Sequence, residues 1–366
     1  MATRRFFEFT SLKLGAATLL IKTMLFLSLL RFSAVGASAS LLFACNAPAR
    51  PSPLPVSGWT ISQSPASWKV EGFEEDMDLS GIATLDQKTV LLGSDEMIAA
   101  QAGTMDKAAG LIKAGDLIQL MQNPSGKKME IDIEGIAADP AEHCYYVTGS
   151  HGVGKKKGEF EASRASVFKI PTDPTTGSIK TEGIQRASLM PWLEQNGTFK
   201  DYTKKPLQLN GFNIEGLTFH GGKLYFGIRG PNVQGNTYVI ETTPASLFSG
   251  SLPECTIHTL PVGETRGIRE LAAVRDGFIV LTGNASAEAT KKFPTSQARM
   301  DDKVFDLFLW QPGKSPALST IGVLPKPGGK AEAILVLEDA PAHVDILMLF
   351  DGAPDGGPQT YRLSRP

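Results

Sequence analysis

Five short segments of the chain place carboxylates, arginines and one histidine at matching positions. They open on Asp78 and Ser80, on Asp132 and Glu134, on Asn213 and Glu215, on Arg269 and Glu270, and on Glu332. They close on Asp95 and Glu96, on Ser150 and His151, on Arg229, on Asn284 and on Asp351. Carboxylate oxygens in such numbers suit a hard cation such as Ca²⁺, and Glu134, Glu215 and Glu332 are the candidate metal ligands. Arg229 and Arg269 could clamp a phosphate or carboxylate through paired N–H donors. His151 alone brings a group that titrates near neutral pH, so His151, Arg229 and Arg269 form the candidate catalytic set. Asp95, Glu134, Ser150, Glu215, Glu270, Asn284, Glu332 and Asp351 would line a ligand-binding face. A plainer role is open to the same glutamates: a carboxylate at a strand start can accept backbone N–H groups of its neighbour and act as a structural clip. Arg229 and Arg269 could likewise pair with those glutamates, and His151 could be a hydrogen-bonded structural residue. Gly149-Ser150-His151-Gly152 sets a serine beside a histidine, but adjacent residues at a strand end diverge, which argues against a serine nucleophile. Lys155-Lys156-Lys157 reads as a solvated loop. No G-x-S-x-G elbow, P-loop, H-E-x-x-H, EF-hand loop or cysteine-based zinc spacing occurs.

The elements that would position these groups repeat as they do. Each segment runs from a polar pair, usually followed by Gly, through four or five mostly apolar residues to a short turn such as Asp139-Pro140-Ala141-Glu142 or His220-Gly221-Gly222-Lys223. A second apolar run follows. That pattern is a β-hairpin. Aligned on Gly81, Gly135, Gly216, Glu270 and Ala333, the segments are 54, 81, 54 and 63 residues apart, enough for a four-stranded antiparallel sheet each time. Repeated sheets of this size predict an all-β protein, a β-propeller of five blades, with room in the 81-residue interval for a sixth. A large β-sandwich would have no reason to repeat the same polar-Gly-aliphatic opening. Because each hairpin reverses the chain, opening and closing motifs fall at one end, and a single funnel face would collect both sets.

Taken together, D-I-E-G-I with T-G-S-H-G and K-K-K-G, N-I-E-G-L with G-I-R-G-P, R-G-I-R-E-L, and A-E-A with F-D-G resemble a bacterial family catalogued as domain of unknown function 3616. The resemblance runs over most of residues 70–355 and implies a propeller-like β fold but no established reaction. D-L-S-G-I and G-S-D-E are distantly similar to the esterase-like domain of some bacterial phytases. The last segment departs from the family pattern, with Ala333 where Gly is usual.

The N-terminal residues follow a different logic. Residues 1–44 carry Arg4, Arg5, Lys13, Lys22 and Arg31 against Glu8, with apolar runs at 14–30 and 32–44, and read as an export signal. The second run ends Leu42-Phe43-Ala44-Cys45, which resembles a lipoprotein processing site with lipid attached at Cys45. Residues 45–57, rich in proline, read as a tether, and residues 58–366 as one propeller domain. Met24 is an alternative start, and Thr3-Arg4-Arg5-Phe6-Phe7 resembles a twin-arginine signal. The expected location is outside the cytoplasm of a bacterium, periplasmic or outer-surface, with membrane contact through the lipid alone.

With 36 basic against 38 acidic residues in 366, the chain has no electrostatic footprint for nucleic acid. Removal of the first 44 residues, with their five bases and one acid, leaves a charge of −6. Three cysteines are too few for a disulfide scaffold, and Cys144 and Cys255 read as independent thiols. The expected function is binding of a small molecule or an envelope protein at the funnel, with Ca²⁺ as the candidate cofactor. The alternative is a metal-assisted hydrolase of phosphate or carboxylic esters, in which His151 would shuttle a proton. Oligomeric state leaves no mark in the sequence.

Overall fold

The computed structural model describes residues 54–366 except 75–77, 124–125, 127–128, 155 and 296–297. The export segment and Cys45 lie outside the described residues. The chain divides after Pro51, and residues 52–366 form one compact unit.

Among the described residues, twenty-one strands build that unit. A leading strand β1 (Thr60–Ser67) and a short β2 (Lys69–Glu71) precede β3 to β6 (Leu79–Thr84, Thr89–Ser94, Ala99–Asp106, Leu111–Gln119). Next come β7 to β10 (Ile133–Asp139, Cys144–Gly149, Val167–Pro171, Gln185–Ala187) and β11 to β14 (Asn213–His220, Lys223–Gly230, Thr237–Thr242, Cys255–Leu260). The chain ends with β15 to β18 (Arg266–Val274, Gly277–Asn284, Asp306–Trp310, Leu318–Val323) and β19 to β21 (Lys330–Asp339, His343–Asp351, Gln359–Ser364). Four groups of four form antiparallel meanders, and β1 returns from the N-terminal side to complete the fifth as β1-β21-β20-β19. The inner strands β3, β7, β11, β15 and β19 pack side by side in that order, and β19 packs on β3. The protein is a five-bladed β-propeller.

The 81-residue interval holds no sixth blade. It is taken up by the connection 150–166 and by residues 188–212, which include the short helix α1 (Met190–Leu193). The first blade carries an unanticipated fifth strand, because β2 pairs in parallel with β6 at Val70↔Ile112.

Hydrophobic burial explains why the sheets stand radially. Each interface between successive blades has its own apolar core. Leu91 and Ile118 of blade 1 meet Ile136 and Val147 of blade 2; Tyr146 of blade 2 meets Phe226 of blade 3; and Tyr225 of blade 3 meets Phe278 of blade 4. Ile279 of blade 4 meets Met348 of blade 5, and Leu349 of blade 5 meets Leu92 of blade 1. Strands covered on both faces lose the polar alternation of a one-sided sheet, so the runs look uniformly apolar. Closure is pinned at the ends of the propeller. β1 pairs with β21 from Thr60↔Ser364 to Gln63↔Tyr361. Arg365 binds Asp276 (2.5 Å) and Asp339 (2.6 Å), lying 4.8 Å over the ring of Trp59.

Cys144 lies in β8 and Cys255 opens β14, and both are free thiols, as expected.

Candidate functional site

The same irregularity recurs in every inner strand and determines what faces the axis. In β3, Leu79 pairs with Ser94 and Gly81 with Gly93, so Ser80 is an extra residue on its strand. Glu134 is extra between Ile133 and Gly135, and Glu215 between Ile214 and Gly216. Arg269 is extra between Ile268 and Glu270, and Glu332 between Ala331 and Ala333. A β-bulge re-aims the side chain it inserts. Five equivalent bulges direct Ser80, Glu134, Glu215, Arg269 and Glu332 into one ring, one residue from each blade.

The ring is buried and charged. One oxygen from each of Glu134, Glu215 and Glu332 lies within 4.8 Å of the other two. Arg269 Nη1 is 2.8 Å from Glu215 Oε2, while Nη2 meets Glu332 Oε1. Arg229, at the end of β12, donates from Nη1 to Glu215 Oε1 (2.5 Å) and from Nε to the Asn284 carbonyl (2.9 Å). Glu215 therefore has an arginine on each oxygen, and Arg269 ties blade 3 to blade 5. Burial works against the charge on Arg269 while the Glu215 carboxylate supports it.

Two cavities that share wall residues lie on this ring. The throat, about 30 Å³, is lined by Asp78, Asp95, Glu134, Glu215, Glu332 and Asp351 with Ser80 and Arg229. That is room for an ion or one or two waters, at about 10–15 Å³ for each. The mouth, about 260 Å³, shares Arg229, Glu332 and Asp351 with the throat and adds Arg269, Asn284 and Lys330. Its wall includes Glu288, Arg299, Asp302 and Phe305 from the long connection between β16 and β17, and Lys156 from the connection between β8 and β9. Those two connections touch: Lys292 Nζ donates to the Lys157 carbonyl (2.5 Å), and the Phe293 ring fills the space where a Cβ on Gly158 would stand. Asn284 secures the first of them, accepting the Met300 N–H (2.8 Å) and donating to Asp302.

Ten of the expected residues thus meet in one place: Asp95, Glu134, Glu215, Arg229, Arg269, Asn284, Glu332 and Asp351, with Asp78 and Ser80. The others do not join them. His151 lines neither cavity and is fully buried at a positive φ of 53°. Its Nε2 accepts the Leu189 N–H (3.2 Å), so Nδ1 carries the proton and donates to the Gly149 carbonyl (3.0 Å). Burial pushes its pKa down to about 4. Both ring nitrogens are engaged with backbone, which corrects the expectation of a proton shuttle on the funnel. Ser150 is buried beside it, its Oγ accepting the Gly152 N–H (3.1 Å). Asp132 turns to Arg164 Nη1 (2.7 Å), and Arg164 also binds Glu130. Glu96 is exposed and lines neither cavity.

Glu270 is the structural clip expected of the other glutamates. It accepts N–H groups from Leu217 in blade 3 (3.1 Å) and from its own neighbour Leu271 (2.7 Å). Burial, with the Glu215 charge nearby, pushes its pKa well above the usual carboxylate range. It occupies the slot filled by glycine in the first three blades. Gly216 makes room for it, because a Cβ there would lie 3.1 Å from Glu270 Cα.

Sequence reasoning missed Arg299, Asp302, Phe305 and Lys330 as parts of the mouth. The first three come from a connection with no counterpart in the other blades, whereas Lys330 opens the last segment at the position of Asp78, Asp132 and Asn213, and that place in the repeat was the available signal.

The family profile described as "Protein of unknown function (DUF3616)" matches residues 78–170 and 169–356, which takes in all five bulges. The chain belongs to the DUF3616 family. No functionally curated protein matches the sequence. Among solved structures, this DUF3616 chain is similar to a GH43 β-1,3-galactosidase at 10% identity and TM-score 0.46, covering 83% of this chain and 59% of that one. An exo-β-1,3-galactanase from Phanerochaete chrysosporium gives 12% and 0.44, with 83% and 64% covered. The calcium-binding protein regucalcin from Agrobacterium tumefaciens gives 10% and 0.37, with 86% and 96% covered.

Proposed function

We propose that this DUF3616 protein is a binding propeller that seats a small polar ligand at its funnel, with a hard divalent cation of the Ca²⁺ type in the throat. The observation that carries this reading is the ring of five bulges, which converges buried carboxylates on one small cavity. Six acids line the throat with Arg229, and Arg269 is paired to two of them. Carboxylates crowded in a confined space stay ionised only beside counter-charge, and a bound cation could add to what the arginines supply. Ca²⁺ takes six to eight oxygens at about 2.3–2.6 Å, and carboxylates in this arrangement are its usual ligands. Both oxygens of Glu215 face arginines and Glu332 has one oxygen on Arg269, so a bound cation would draw more on Glu332 than on Glu215.

Thermal unfolding of residues 52–366 in Ca²⁺ against chelator tests this. A midpoint that climbs with Ca²⁺ concentration, and does not climb in the Glu134→Gln, Glu332→Gln double variant, supports it by mass action. An unchanged midpoint over the whole range rejects it.

A metal-assisted hydrolase is supported by one observation, the arginine-lined mouth that shares a wall with the acidic throat. With His151 buried elsewhere, the nucleophile in that reading is a metal-activated water. A panel of phosphate and carboxylic esters that yields no metal-dependent turnover excludes it.

We propose as well that the chain is exported and anchored through a lipid on Cys45, on the strength of the Leu42-Phe43-Ala44-Cys45 motif and the proline-rich tether. Loss of the protein from bacterial membranes on Cys45→Ser is the expected result, and retention rejects the anchor.

A further inference from the structure

The two compartments of the funnel differ in charge, and they share walls. The mouth is lined by Lys156, Arg229, Arg269, Arg299 and Lys330 against Glu288, Asp302, Glu332 and Asp351, five cations to four acids. Two of those acids, Glu332 and Asp351, also line the throat. We infer that the mouth binds the anionic group of a small ligand, a carboxylate or a phosphate-type oxyanion, and that this anion and the throat cation bind with positive coupling. The inference rests on the reading of the throat as a cation site.

The coupling follows from which acid neutralises which base. Arg269 Nη2 pairs with Glu332, and Lys330 Nζ lies 3.3 Å from Asp351 Oδ2. A cation in the throat draws on the same two carboxylates and weakens their hold on Arg269 and Lys330, whose charge then faces the mouth. Asp302 cannot offset that charge, since it is already bound by Arg299 (2.5 Å) and Asn284. A filled throat thus shifts the charge facing the mouth toward positive. The cation adds to it, because the shared wall of Arg229, Glu332 and Asp351 leaves one side of the throat facing the mouth. An oxyanion there can complete the coordination shell of an ion that prefers six to eight oxygens.

The size of the mouth limits the rest of the ligand. At about 260 Å³ it falls just under the ~300–1,000 Å³ of ordinary small-molecule sites. Phe305 and Ala287 supply an apolar side for the ligand body, opposite the polar groups. The inferred ligand is a compact organic acid or monophosphate rather than a polymer chain.

Calorimetric titration of residues 52–366 with benzoate and with phenylphosphonate, each in chelator and in saturating Ca²⁺, tests the inference and separates the two anion types. The expected result is at least about tenfold tighter binding of one of them when Ca²⁺ is present, matched by equally enhanced Ca²⁺ affinity when that anion is present, as linkage requires. The double variant Lys156→Ala, Lys330→Ala should lose the anion enhancement while still binding Ca²⁺. Ca²⁺ binding with anion affinity that is absent or unchanged overturns the inference and leaves the throat reading intact. Absence of Ca²⁺ binding rejects the throat reading, and anion binding under those conditions shows an anion site with no coupling.

Discussion

The throat and the His151 pocket are both buried and polar, and both were expected on one functional face, yet they solve the burial problem in opposite ways. His151 is neutral, and each ring nitrogen has a single backbone partner. Burial costs such a group little once its hydrogen bonds are made. The throat gathers six acids about one small cavity, with Arg229 and Arg269 both on Glu215. A satisfied pocket has no capacity left for a ligand. A cavity lined by charged groups does, and that difference, not the residue types, separates a structural site from a candidate functional one.

Substitutions at four positions break or sharpen that contrast. The largest effect belongs to Arg269→Ala, which leaves Glu215 and Glu332 buried without their shared partner. Removing one member of a buried ionic network costs about 3–5 kcal/mol, read as a lower urea midpoint, and Ca²⁺ should recover part of the loss.

His151→Ala comes next. The folded pKa of about 4 lies below the unfolded value of about 6.5, so the unfolded chain binds more protons between them and stability falls as pH drops through that window. The shift corresponds to about 3 kcal/mol, at 1.36 kcal/mol per pKa unit. The variant should be destabilised at neutral pH, show a flatter stability profile from pH 6.5 to 4, and keep its Ca²⁺ affinity. A loss of Ca²⁺ affinity in folded protein would return His151 to the funnel.

Glu270→Ala removes the acceptor for the Leu217 and Leu271 N–H groups and should cost about 1–3 kcal/mol for donors left buried. The pH dependence of this group has the opposite sign to that of His151. Its folded pKa is raised, so stability is full below about pH 4.5 and declines as pH rises toward the folded value. Glu270→Gln keeps an acceptor and should abolish that decline in a series of urea melts across pH.

Glu134→Gln has the smallest effect on folding. It relieves crowding among the carboxylates, so stability without metal should change by under about 1 kcal/mol or rise slightly, while Ca²⁺ affinity falls about tenfold by calorimetry.

Much of the fold was readable because the hairpin repeat is carried by residues with a strict physical job. Gly81, Gly135 and Gly216 each sit where a Cβ would press on the next blade, at 2.9 Å or less from Ile136 Cγ1 and Leu217 Cβ and at 3.0 Å from Leu271 N. The residue before each of them, and before Glu270 and Ala333, is the bulged one, so the ring members were already in view as half of a polar pair. Which half would turn inward was not visible. Asp132 and Glu134 look alike on paper, but the bulge sends Glu134 to the axis and Asp132 to Arg164. His151 was misplaced because the closing motif reverses at a positive φ just beyond β8, and that single backbone angle carries the ring away from the funnel. The mouth stayed hidden for a different reason. Its Arg299, Asp302 and Phe305 come from one long connection in blade 4, and a repeat search has nothing to compare it with.

The central claim is that the bulge ring holds a cation, and anomalous scattering from crystals of residues 52–366 grown with Mn²⁺ tests it most directly. The account predicts a single strong peak on the propeller axis, about 2.0–2.6 Å from oxygens of Glu134 and Glu332, with the Glu215 pairs to Arg229 and Arg269 intact. An axis filled only by water, with no anomalous peak among these carboxylates, would contradict it.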